Sequence, residues 1–307
     1  MAKRMLWFTG IFSSLTALTT VSGFAISNQL MYLKKKDEDL ILERETSAKR
    51  YDEYWYANVK KSEQWIESAN GYSIKAIFLE PHHTKRYAII CHGVTETKVN
   101  SFKYARMFER LGFNSVVYDH RRHGDSGGKT TSFGHYEKMD LQAIVQALKD
   151  HVGSDLVFGI HGESMGAATT LLYAGMEDSA AFYISDCAYS DISEQILHVM
   201  KTKTPLPAFI SMKLVSVFLK LRDGYSIRTV SPREAVKKIK NPVLFIHSTN
   251  DVFVLPKMTQ ELYELKPEPK ALKLFDEGAH AQSFNVNPLD YEKAIKEFLD
   301  DNGIFKK

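Results

Sequence analysis

The sequence predicts an α/β chain, a mostly parallel sheet flanked by helices. Three observations carry that prediction. Short β-rich apolar runs alternate with amphipathic helical runs from about residue 60 onward, and such alternation requires a parallel sheet covered on both faces. With 307 residues, 44% of them hydrophobic and 25% charged, the chain buries one sizeable core and is neither disordered nor fibrous. Two cysteines, Cys91 and Cys187, are too few for a disulfide-built scaffold and fit either a reducing compartment or an exterior that uses few disulfides.

Residues 1–36 read as an N-terminal membrane anchor. No charge interrupts the 29 residues Met5–Leu33, which lie between Lys3-Arg4 and Lys34-Lys35-Lys36. A helix needs about 20 such residues to cross a hydrocarbon core. A cleaved signal peptide is the rival, with small residues at Gly23 and Ala25. An uncleaved transmembrane helix is expected because the apolar run continues through Ile26, Leu30 and Met31. Two basic residues precede the span and three follow it, so the flanks separate the orientations poorly. The expectation carried forward is a single-pass cell-membrane protein with its folded domain on the extracytoplasmic side.

Residues 37–58 are charged with scattered apolar positions, as in a juxtamembrane helix or linker that lifts the domain off the bilayer. Their aromatic cluster, Tyr51, Tyr54, Trp55 and Tyr56, reads as a packing patch. Beyond the five basic residues of the first segment, 35 basic residues face 37 acidic ones. That balance offers no basic face for nucleic acid, and no nucleic-acid partner is expected.

Residues 59–307 form the domain. Strands are expected at Tyr72–Leu79, Tyr87–His92, Ser115–Asp119, Leu156–Ile160, Ala181–Asp186, Val243–His247 and Leu272–Phe275. Helices are expected at Phe102–Leu111, Tyr136–Lys149, Met165–Ala174, Pro256–Leu265 and Pro288–Leu299. The interval between Asp186 and Val243 is far longer than an ordinary crossover. Its apolar sequence from Tyr189 to about Arg228 suits a helical lid over the carboxyl ends of the strands, with Phe209 and Phe218 among the residues expected to line an acyl pocket.

Gly162-Glu163-Ser164-Met165-Gly166 stands directly after one expected strand and before one expected helix. In that context the two glycines permit a sharp, strained turn that holds the Ser164 hydroxyl in a cleft as a nucleophile. Serine needs a base to attack at neutral pH, and the base needs an orienting carboxylate. In this architecture they follow in the order Ser, Asp, His, each on a loop after a strand. Asp251 and His280 occupy such loops; Asp186 is the runner-up acid and Asp223 a further competitor. The N–H of Met165 follows the nucleophile, and the N–H of Val94, in the loop Cys91-His92-Gly93-Val94, is the second expected donor to an oxyanion. Cys91 beside His92 is a weaker nucleophile candidate, lacking a third group. His161 is expected in the core, with His82, His83 and His151 at the surface.

His120, His123 and Asp125 superficially resemble a hydrolytic metal cluster, but no distal ligand set completes it, so no metal is expected. Neither a phosphate-binding nor a dinucleotide-binding glycine motif is present, and no cofactor is implied.

Together, Ser164, Asp251 and His280 with His92-Gly93 resemble the α/β-hydrolase family over about residues 60–303. Two further segments agree: Asp119 to Ser126 resembles the family's D-x-R-x-x-G-x-S turn, and Gly134 to Asp140 its G-x-x-x-x-x-D helix start. The chain is most similar to membrane-anchored bacterial serine hydrolases of the fluorophosphonate-reactive, esterase-like kind. It departs where the family often has Gly-Asp and this chain has Ser248-Thr249, and where Leu255 delays the usual Val-Pro. The resemblance implies a serine hydrolase acting on carboxylic esters of short- to medium-chain or lipid-like acyl groups. Its rivals are a serine peptidase or acyltransferase on the same residues, and a non-catalytic binding protein.

Overall fold

A computed structural model describes residues 20–200 and 208–306. Eight strands form one sheet: β1 (Lys61–Glu67), β2 (Ser73–Leu79), β3 (Arg86–Cys91), β4 (Asn114–Tyr118), β5 (Val157–Glu163), β6 (Phe182–Asp186), β7 (Val243–Ser248) and β8 (Lys270–Phe275). Their order is β1-β2-β4-β3-β5-β6-β7-β8. β1 and β2 run antiparallel at one edge, and every pairing from β4 to β8 is parallel.

The central strands read as continuous apolar runs because both their faces are covered. Along β3, Tyr87, Ile89 and Cys91 join one core while Ala88 and Ile90 join the other. The first core is closed by helices Glu137–Val152, Met165–Ala174 and Pro256–Leu265, the second by Lys98–Arg110 and Pro288–Asp301. β1 was not expected from the sequence. KSEQWIE carries few β-forming residues, and as an edge strand it has a single neighbour and only Ile66 buried.

The long interval after β6 folds as helices Ile192–Met200 and Ala208–Asp223 and the 3-10 turn Ile227–Thr229, which with residues from the sheet's carboxyl ends make a third apolar core. The N-terminal segment joins that core. Residues 20–31 are helical and lie on helix Ala208–Asp223, with the Phe24 ring edge-on to Phe218 at 6.3 Å. Arg222 donates to Ser27 Oγ at 2.8 Å and to Asn28 Oδ1 at 2.9 Å, while the Met31 carbonyl accepts from the Thr131 N–H at 3.0 Å.

This corrects the expectation for Met5–Leu33 in its described part. Among the described residues no helix is long and apolar enough to cross a membrane. Ile26, Leu30 and Leu33 pack against protein instead of lipid, and Met5–Thr19, the remaining 15 residues of the run, lie outside the described residues.

Residues 37–58 likewise do not stand off the domain. In helix Glu38–Ser47, Ile41 is buried, Lys98 pairs with Glu38 at 2.9 Å and Arg44 with Glu96 at 2.8 Å. Its charges are matched by charges of the domain, which a free linker does not need. Tyr51 and Tyr56 pack on Phe102 with ring centroids 5.8 and 4.7 Å apart, whereas Tyr54 is exposed.

Candidate active site

β5 turns into helix Met165–Ala174 at Ser164, whose φ of 56° and ψ of −114° lie outside the conformations a serine prefers. The turn is tight enough that a Cβ on Gly162 would overlap the Gly166 carbonyl. The Ser164 N–H donates to the Asp186 carbonyl at 2.8 Å, so the strain is held by the neighbouring strand.

The structure brings Ser164, His280 and Asp251 together. Ser164 Oγ lies 2.8 Å from His280 Nε2, and His280 Nδ1 lies 2.7 Å from Asp251 Oδ2. An ionised carboxylate only accepts, so Nδ1 carries the hydrogen, and Nε2 of a neutral ring is left to accept from the serine hydroxyl. Asp251 sits in a closed turn whose N–H donates to the Ser248 carbonyl at 3.1 Å, so the departures at Ser248-Thr249 and Leu255 do not displace it. Its Oδ1 accepts from the N–H groups of Phe253 and Val254 at 2.9 and 3.0 Å. Burial would raise the Asp251 carboxyl, but hydrogen bonds from His247 and His280 outweigh it and hold the group well below the usual carboxylate range.

The competing acids are elsewhere. Asp186 is fully buried and accepts from Ser283 Oγ at 3.2 Å and Tyr291 OH at 3.1 Å; burial, then the nearby Glu163, push it up to about 7. Asp223, at the end of the lid helix, accepts from Thr130 Oγ1.

Val94 and Met165 both line the cavity beside Ser164, and among the described residues neither backbone N–H meets a protein acceptor. Met165 begins its helix and has no carbonyl one turn back. The loop carrying Val94 is braced by two histidines. His92 donates from Nδ1 to the Gly93 carbonyl at 2.7 Å and accepts the His120 N–H on Nε2. His123 donates from Nδ1 to the Arg121 carbonyl and accepts the Thr95 N–H at 3.0 Å. Burial pushes both rings down to about 4, so they stay neutral. Of the His120, His123 and Asp125 group, the His123 ring and the His120 backbone N–H belong to this brace, the His120 ring is buried against the His92 ring, and Asp125 pairs with Lys98. Cys91 is buried, accepts from Tyr118 OH and is pushed up to about 11 by burial, which suits a packed thiol and not a nucleophile. Cys91 and Cys187 are free thiols, with β5 between their strands.

A cavity of about 740 Å³ opens over Ser164 and His280. Ile192, Ile196 and Met200 of the lid wall it, and so do Ile26, Leu30 and Leu33 of the N-terminal segment. Phe218, expected in this wall, faces Phe24 and supports the N-terminal helix from outside, and the Phe209 side chain lies outside the described residues. Sequence reasoning missed two features: the pocket role of the N-terminal helix, and His247, which donates to the same Asp251 oxygen as His280.

Comparisons with known proteins agree with this architecture. The chain is 45% identical over 280 residues to the uncharacterized protein YqkD of Bacillus subtilis, covering 91% of this chain and 92% of that one. Residues 82–218 match the hydrolase family model described as serine aminopeptidase, S33. The chain belongs to the α/β-hydrolase family. Another relative is the human α/β hydrolase domain-containing protein 17B, 25% identical over 76% of this chain and 73% of its own length. The α/β-hydrolase fold is shared with the esterase Pf2001 of Pyrococcus furiosus at a TM-score of 0.66 and 22% identity, over 82% of this chain and 96% of that one.

Proposed function

We propose that this α/β hydrolase cleaves carboxylic esters with short- to medium-chain or lipid-like acyl groups through an acyl-enzyme. Ser164 attacks the carbonyl carbon, and His280 takes the hydroxyl proton and returns it to the leaving alkoxide. Asp251 fixes the ring and stabilises its charged form, and the N–H groups of Val94 and Met165 hold the oxyanion. Water, activated by His280, then releases the acid. The observation that carries the reading is the unbroken chain of contacts Ser164 Oγ, His280 Nε2, His280 Nδ1 and Asp251 Oδ2 at the floor of a largely apolar cavity. That the structurally similar Pf2001 is an esterase supports the choice of bond.

Hydrolysis rates across p-nitrophenyl esters from about two to sixteen carbons test it: an optimum above acetate is expected, since each buried methylene is worth about 0.8 kcal/mol. A rate that falls steadily from the two-carbon ester contradicts the acyl-pocket reading. The family description favours one second reading, a serine aminopeptidase using the same residues. Aminoacyl p-nitroanilides cleaved faster than any ester would favour it. Residence at the cell membrane, with the domain outside the cytoplasm, belongs to the same proposal and rests on the uncharged Met5–Thr19. Fifteen residues are about five short of the roughly 20 a crossing needs, so a full span also requires about residues 20–24, including Phe24, to leave the lid helix. Salt-resistant sedimentation with membranes, and protease attack on the domain in intact cells, test the two parts.

A further inference from the structure

His247 is the penultimate residue of β7 and has no exposed surface, a buried histidine in an apolar strand. Its contacts make Nε2 a donor. Nε2 lies 3.0 Å from the Val254 carbonyl and 3.0 Å from Asp251 Oδ2, both acceptors, so Nε2 carries the hydrogen and shares it between them. Nδ1 lies 2.6 Å from Thr259 Oγ1, within hydrogen-bond distance of that hydroxyl. The ring is an oriented donor, and it reaches the same carboxylate oxygen that receives His280 Nδ1 at 2.7 Å.

We infer that His247 is a positioning residue for the proposed reaction: through Nε2–H it holds Asp251 Oδ2 at the His280 ring and draws negative charge off that oxygen. Both effects act on His280 through Asp251. The two backbone N–H groups on Oδ1 set the carboxylate's height in its loop, and among the described residues His247 is the one donor besides His280 that holds Oδ2 against rotation. A carboxylate oxygen relieved of one donor concentrates its charge on the other, which favours the protonated form of the imidazole it faces. The inference rests on the proposed roles of Ser164, His280 and Asp251.

The titratable groups facing this cluster from other elements are Cys187 and Asp186 at the end of β6 and Glu163 at the end of β5. Burial, then Asp186, keeps the Cys187 thiol protonated. Asp186, pushed up to about 7, titrates within the range of the profile, so its contribution is removed in a parallel Asp186→Asn background.

The experiment is the pH profile of kcat/KM for a p-nitrophenyl ester in the wild type, His247→Leu and His247→Gln, each with its melting temperature. Glutamine keeps a donor for Asp251 and an acceptor for Thr259. In His247→Leu the acid limb should move to higher pH by roughly half to one unit, with kcat/KM at neutral pH down about tenfold; His247→Gln should return the limb most of the way. Should His247→Leu not fold, Thr259→Val, which frees the ring from its tether, should move the limb in the same direction by less. An acid limb unmoved in these variants, whatever the loss of rate or melting temperature, overturns the inference. A wild type without serine-dependent esterase activity overturns the triad reading itself, and is seen before any variant is made.

Discussion

Gly166 packs so closely on Cys91 that a Cβ there would overlap the Cys91 carbonyl. The first turn of the helix after Ser164 is therefore pressed onto the end of β3, and the same contact sets Ser164 beside the loop that carries Val94. Gly166→Ala should cost about 1–3 kcal/mol in overpacking and lower esterase kcat/KM by roughly a hundredfold or more. Gly112→Ala is the comparison: φ there is +82° but nothing lies within 4 Å, so stability falls by about 1 kcal/mol and activity is unchanged. Equal activity losses in the two variants would contradict the packing argument.

Asp251→Asn should leave the fold intact and lower turnover by about three to four orders of magnitude, because an amide NH2 facing His280 Nδ1 no longer holds the needed tautomer. Asp186→Asn, at a residue that hydrogen-bonds Ser283 and Tyr291 and not His280, should change turnover less than about tenfold. Steady-state kinetics decide, and the reverse ranking would move the acid to Asp186.

β3 to β7 were legible because burial on both faces leaves a nearly uninterrupted apolar run, and β2 and β8 because apolar residues still recur along SIKAIFL and KALKLF; β1 was not, because its polar KSEQWIE buries only Ile66 and looks like a loop. The apolar run through Leu33 was equally plain, but hydrophobicity does not say whether protein or lipid covers it. Ile26 and Leu30 found the lid. In the site, Ser164, Asp251 and His280 could be named from chain order and loop position. His247 could not, since a histidine inside VLFIHS reads as core until the carboxylate four residues on is seen folded back against it.

Deleting residues 1–36 removes one wall of the cavity. Ile26, Leu30 and Leu33 depart together, and the truncated enzyme should lose its preference for medium acyl chains over acetate while acetate hydrolysis changes by less than about threefold. Rates across the ester series in both forms check this. An unchanged chain-length profile would show that the N-terminal helix is dispensable to the pocket.

Stability should fall as pH drops from about 7 to 5. Burial pushes His92 and His123 down to about 4 and His161 down to about 3, so unfolding below pH 6.5 releases rings that take up protons the native state refuses. Stability from these groups is present above pH 6.5 and lost as pH falls towards their native values. Asp186, raised to about 7, and Asp140, raised to about 6, act with opposite sign, since the native state keeps protons the unfolded chain gives up. Buried His120, lowered well below its usual value, adds to the histidine side, so the balance near pH 5.5 is a net uptake of protons on unfolding and stability falls with falling pH there. Denaturant unfolding at several pH values measures it, and Asp186→Asn should steepen the slope. Stability that rises towards pH 5 would contradict the account.

The central claim, that Ser164 is an activated nucleophile, is tested most directly by a fluorophosphonate probe. Covalent attachment to this chain requires a serine with a base within hydrogen-bond reach, and the structure offers His280 Nε2 to Ser164 Oγ at 2.8 Å. The wild type should be labelled on the tryptic peptide containing Ser164, with labelling lost in Ser164→Ala at unchanged melting temperature. A folded Ser164→Ala protein that still labels, or a folded wild type that does not, would contradict it.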